Sequence, residues 1–140
     1  MFKKFKFSLL VIVFAMFVGV FVSCSEPKSA SIYGEWQSPS GDGYSISETT
    51  VVYDDGGWGL GYTGAIEEIT NDYIFYSLEN KTKFNAICYK NLTENSCELS
   101  GAYKEEAAGG KKYCNSLEDA KKEFTVENGY YTYFGEYVRK

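Results

Sequence analysis

The chain has 140 residues, with 14 basic against 19 acidic side chains and a formal net charge of −5. It carries no basic patch to follow a phosphate backbone, so nucleic acid is not an expected partner. It contains no histidine, which removes Ser-His-Asp and Cys-His catalysis, His-ligated zinc and the usual general base near neutral pH; the expectation is a non-enzyme with no cofactor and no metal.

The chain begins with Lys3, Lys4 and Lys6, followed by an apolar run from Phe7 to Phe21 broken only by Ser8 and Gly19. A basic start, a short apolar core and a small residue before the cut predict a secretory signal peptide over residues 1–23. A spanning helix needs about 20 apolar residues, and the stretch from Phe7 to Ser23 is only seventeen residues long, with Ser8, Gly19 and Ser23 among them. Phe21-Val22-Ser23-Cys24 resembles a bacterial lipobox, with Phe21 where Leu is usual. The resemblance implies that Cys24 becomes an acylated N-terminus and holds the chain to a membrane. Two or more acyl chains make such an anchor stable. Ser25, in place of the Asp of an inner-membrane retention signal, implies an exported protein on the cell envelope, at the outer membrane. The alternative is an ordinary Cys24 thiol after conventional cleavage. The mature chain, residues 24–140, has 117 residues and, without three lysines, a charge of −8.

Residues 24–31 read as a lipidated cysteine and flexible tether, and 32–140 as one domain. Thirteen Tyr, ten Phe and 14 Gly against two Pro favour antiparallel β structure. Ile32 to Trp36 opens it, and Pro39 to Gly43 is a turn. Tyr44 and Ile46, then Val51 and Tyr53, alternate as two short strands or one bent strand. Asp54-Asp55-Gly56-Gly57 lacks the alternate oxygen ligands and closing Glu of a calcium loop, so it reads as a turn. Trp58 to Thr70, rich in glycine at its start, predicts a bent or bulged strand. Tyr73 to Leu78, Phe84 to Lys90 and Ser96 to Tyr103 predict further strands. Lys104 to Lys112 reads as a mobile loop. Ser116 caps the one expected helix, with Asp119 three residues on. Leu117, Ala120 and Phe124 share one face of it, and Glu118 and Lys122 stand four apart as a supportive pair. Asn128-Gly129 reads as a hairpin-type turn, and Tyr130 to Arg139 as the last strand.

Tyr33-Gly34-Glu35-Trp36-Gln37 echoes Phe134-Gly135-Glu136-Tyr137-Val138. Two such end strands could pair and close a barrel without a free edge. The expected fold is therefore all-β and mainly antiparallel. It is a small up-and-down β-barrel of about eight strands with one short C-terminal helix.

Gly34-Glu35-Trp36 at the start of a small all-β domain resembles the G-x-W signature of lipocalins and their streptavidin-like relatives. The resemblance implies that Trp36 packs across one end of the barrel. The Arg found near that Trp in lipocalins has no evident counterpart, since Arg139, the only arginine, stands at the extreme C-terminus. The order of Gly34 to Trp36, Asp42 to Tyr44, Tyr89 to Thr93 and Leu117 to Ala120 is similar to short spirochaete-type lipoprotein modules. That likeness implies fold and location and assigns no activity.

Three cysteines remain after Cys24. Cys88 and Cys97 lie symmetrically about Leu92-Thr93, so a simple hairpin would bring them together as a disulfide, while a one-residue change of register would forbid it. Cys97 with Cys114, and reduced buried thiols, are the alternatives. Trp36, Trp58, Tyr62 and Tyr73 are candidate ligand-binding residues, with ordinary barrel core as the other reading. Two functions compete. One is a membrane-anchored binding module for a small apolar or aromatic ligand. The other is a surface protein, of adhesin or enzyme-inhibitor type, that binds a macromolecule through exposed tyrosines and loops.

Overall fold

Eight strands form, and the barrel they make closes on itself in a computed structural model that describes residues 29–140. The expected signal peptide and Cys24 lie outside the described residues. The strands are β1 (Gly34–Gln37), β2 (Gly43–Ile46), β3 (Thr50–Asp54), β4 (Tyr62–Ile69), β5 (Tyr73–Leu78), β6 (Lys83–Lys90), β7 (Ser96–Gly101) and β8 (Gly135–Arg139). Each pairs antiparallel with the next, and β1 meets β8 through Trp36–Arg139 and Gln37–Val138. The expected all-β up-and-down barrel with one short helix is what the described residues form, and the echoing end strands close it. Closure satisfies the backbone of strands that would otherwise be open edges.

The antiparallel order gives the barrel two unlike ends. The terminal end carries both the first described residues and Lys140, with the short turns at 47–49, 70–72 and 91–95. The far end carries the turns at 38–42 and 79–82, the loop at 55–61 and the long connection 102–134.

The stretch Trp58 to Thr70 is where an irregularity was expected, and β4 slips register between Ile66 and Glu68. A regular strand would put Ile66 and Ile69 on opposite faces. The extra residue lets both pack against the interior while Glu67 and Glu68 turn outward. There Glu67 accepts from Ser77 Oγ at 2.6 Å and pairs with Lys81 at 3.0 Å. Glu68 takes the Lys121 ammonium at 2.8 Å.

Two apolar layers result. Trp36, Ile46, Val51, Ile74, Ile87 and Leu99 fill the barrel. Phe75, Phe84, Ala86 and Cys88, one step out of phase on β5 and β6, form the floor of a second layer on the outside. Helix α1 (Leu117–Glu123) covers that floor with Ala120 and Phe124, both fully buried. Ser116 caps it as expected, its hydroxyl accepting from the Asp119 N–H at 3.1 Å. The expected Glu118–Lys122 pair is not one the helix makes; its ion pairs run from Lys121 to Glu68 and from Glu123 to Lys111.

One expectation needs correction. The last strand starts at Gly135, five residues later than Tyr130. Tyr130 and Tyr131 are instead buried in the outer layer beside Phe124, so the chain crosses the outside of the sheet before it can enter the wall. The segment 104–112 is a folded loop: Glu106–Ala108 makes a 3-10 turn, and the Gly110 N–H donates to the Glu105 carbonyl at 2.9 Å. It is fastened where the Lys111 N–H donates to Tyr130 Oη at 2.8 Å and the Lys111 ammonium meets Glu123 at 3.0 Å.

Candidate functional site

The terminal end is sealed. Trp36 is 1% exposed, and its Nε1 donates to the Ile32 carbonyl at 2.8 Å. Pairing of β8 with β1 sets Arg139 beside it, with the guanidinium carbon 4.2 Å from the Trp36 ring centre. The guanidinium donates to the carbonyls of Glu94, Tyr33 and Ser31 at 2.6, 2.7 and 2.7 Å. One side chain thus fastens the N-terminal segment, the β6–β7 turn and the indole together. Gly34 makes room for it, because a Cβ there would lie 2.2 Å from an Arg139 nitrogen and the residue has a φ of +135°. The arginine that the sequence did not place near Trp36 is delivered there by ring closure.

The far end has different walls. Tyr44, Tyr53, Tyr62 and Tyr76 follow one another around the interior on β2 to β5, with ring centres 4.8, 5.5 and 5.1 Å apart. Tyr137 on β8 meets Tyr44 edge-on at 5.4 Å. Tyr62 and Tyr76 are stacked 7° from parallel. Gly64 leaves space for that stack, since a Cβ there would fall 2.5 Å from the Tyr76 ring. Burial pushes the phenols of Tyr44, Tyr62 and Tyr137 far above their ordinary value and that of Tyr76 up to about 12. All four are neutral donors near pH 7. Tyr137 donates to the Asp42 carboxylate at 2.6 Å.

The wall parts beside this row. Strand β7 pairs with β8 only as far as Leu99–Gly135. Beyond that, Ser100 and Gly101 face Thr132 and Tyr133 across a cleft of about 240 Å³. Tyr44, Tyr53 and Tyr137 line it from the barrel side and Tyr103, Tyr130 and Tyr133 from outside. Tyr103 and Tyr133 are 70% and 87% exposed. Those two offer ring faces for stacking and hydroxyls, whereas Tyr44, Tyr130 and Tyr137 are buried.

The four sequence-predicted residues do not assemble into one site. Trp36 belongs to the sealed end. Trp58 is 85% exposed at the tip of the β3–β4 loop. Tyr73 lies on the outer face, 5.8 Å from the Tyr131 ring, with its hydroxyl accepting from the Val126 N–H. Tyr62 alone joins the interior tyrosine row, next to the cleft rather than lining it. The residues missed are Tyr44, Tyr53, Tyr103, Tyr130, Tyr133 and Tyr137. Alternation on β2 and β3, and the echo that matches Tyr137 to Trp36, mark three of these as inward-facing. Nothing local says that Tyr103 and Tyr133 meet across a gap.

The expected Cys88–Cys97 bridge does not form. The β6–β7 ladder sets Cys88 opposite Ser100, three positions from Cys97. The odd offset puts Cys97 inside the barrel and Cys88 in the outer layer. Cys88, Cys97 and Cys114 are free and buried. Burial raises Cys88 to about 11 and Cys97 to about 12, so both are protonated at neutral pH and poor nucleophiles. The loop of Asp54 to Gly57 is a turn, as expected. The Asp55 carboxylate accepts from the N–H groups of Leu60, Gly57 and Trp58, which hold it below its ordinary range. Among the described residues no group of three or more Cys, Asp or Glu side chains could hold a metal ion, and no helix is long and apolar enough to cross a membrane. No protein-family model matches the chain, and comparison with curated proteins and with solved structures finds no similar one.

Proposed function

We propose that the chain is an exported envelope lipoprotein, attached through Cys24, whose barrel is a non-catalytic binding module for a small ligand with an apolar or aromatic face. The tyrosine-lined cleft at the far end carries this reading. A cleft of about 240 Å³ ringed by tyrosines is small even for a ligand pocket and suits a very small molecule that can meet both ring carbons and hydroxyls. An anchor at Cys24 would leave from the terminal end, so the cleft would point away from the membrane. The G-x-W start with an arginine packed on the indole supports a lipocalin-like kinship in the same terms.

Two measurements test it. Intact mass of the protein from membranes should give an acylated chain beginning at Cys24; an unmodified Cys24 or retained residues 1–23 would remove the anchor. Titration with small aromatic compounds, followed by amide chemical shifts, should move Gly101, Thr132 and Gly135. Shifts elsewhere only, or none, would end the cleft reading. A second reading, docking of a macromolecule, is favoured by the display of Trp58, Leu60, Tyr103 and Tyr133 at this same end, each at least 70% exposed. It predicts that Trp58→Ala weakens capture of the partner while small-molecule shifts persist.

A further inference from the structure

Carboxylates gather at the far end with the tyrosines. Asp42 is bonded to the phenol of Tyr137, a cleft-lining residue. The charges of Asp42, Asp55 and Asp54 add to burial in raising Tyr53, so their potential reaches the barrel side of the cleft. The ring faces carry negative quadrupole potential of their own. One cation already sits over a cleft ring: the Lys104 ammonium lies 5.6 Å from the centre of Tyr130.

A neutral ligand uses the rings and gains nothing from the carboxylates. An anion meets their repulsion. A primary ammonium loses three water hydrogen bonds and needs acceptors to replace them, whereas the six tyrosines that line the cleft attract a cation through their rings. An alkylated ammonium has few or no N–H groups to satisfy, an apolar surface and a full charge, which is the combination aromatic walls recognise. From the cavity, its six rings and the Asp42 carboxylate behind Tyr137, we infer that the cleft takes a small organic cation of the alkylated ammonium class. The inference rests on the cleft being a ligand site and adds the charge of the ligand.

The test uses the full chain in non-ionic detergent and three probes: choline, its uncharged isostere 3,3-dimethylbutan-1-ol, and p-cresol as a neutral ring. Choline should shift Gly101, Thr132 and Gly135 and bind about five- to thirty-fold more tightly than the alcohol. That preference should shrink in Asp42→Asn and with added salt, the salt series serving if the variant does not fold. Equal affinity of choline and the alcohol, or binding of p-cresol alone, overturns the cation inference and leaves the cleft reading standing. No shift at the cleft with any probe overturns both.

Discussion

Arg139→Gln removes the fastener of the sealed end, and its cost can be worked from the geometry. Three hydrogen bonds from a charged donor, at 2.6, 2.7 and 2.7 Å, would contribute about 1.5–3 kcal/mol each if fully buried. These bonds are solvent-exposed, so roughly 0.5–1 kcal/mol each is the fair discount. The stacking of the guanidinium on Trp36 adds about 0.5–1 kcal/mol. The sum is about 2–4 kcal/mol, or a fall in Tm of roughly 8–16 °C at about 4 °C per kcal/mol. Urea unfolding should be followed by fluorescence in a Trp58→Phe background, where Trp36 is the sole reporter. Arg139→Lys keeps the charge and loses the fork that reaches three carbonyls, so it should recover less than half of the loss. A change under about 0.5 kcal/mol in Arg139→Gln, the size of an ordinary surface substitution, would refute the clamp.

Phe124→Ala empties a fully buried position beneath α1 and should cost about 3–5 kcal/mol in urea unfolding; a loss below 1 kcal/mol would mean that the outer layer is not a true core. Gly64→Ala drives a methyl into the Tyr76 ring at 2.5 Å and should cost about 1–3 kcal/mol while moving the Tyr62 and Tyr76 ring signals; unchanged ring signals would refute the stack. Stability should fall at high pH. The buried phenol of Tyr76 is raised from 10.0 to about 12 and the thiol of Cys97 from 9.0 to about 12. Both groups are neutral in the fold, so their contribution is whole below pH 9. It is lost as the unfolded chain ionises first, with roughly 1.4 kcal/mol gone at pH 11 for Tyr76 alone. A urea midpoint that is the same at pH 7 and pH 11 would contradict it.

Short-range features were legible. Tyr73 to Leu78 is β5 without adjustment, because four consecutive β-forming residues, Tyr73 to Tyr76, in a segment between two polar turns leave little choice. Ser116 is the cap of α1 for a reason contained in four residues. The site was much less legible. Trp36, Trp58, Tyr62 and Tyr73 were grouped as large aromatics, and the fold sends them to four separate places. Outer-layer packing also defeated the expected last strand. Tyr130 and Tyr131 have β-favouring side chains, but Phe124 and Cys88 offer them a buried face on the outside.

By itself the sequence determined the strand periods and the helix cap, and its echoing ends made a closed all-β barrel the expectation. The periods and the cap follow from alternation and turn chemistry, which act over a few residues. Tertiary structure alone decided the register around the ring. It put Cys88 and Cys97 on opposite sides of one sheet, and carried Arg139 to Tyr33 across 106 positions of chain. It also ended the β7–β8 ladder at Leu99–Gly135 and so opened the cleft. Each of these depends on how eight strands shear against one another when the last meets the first. That is a property of the closed ring, which no single strand's sequence contains.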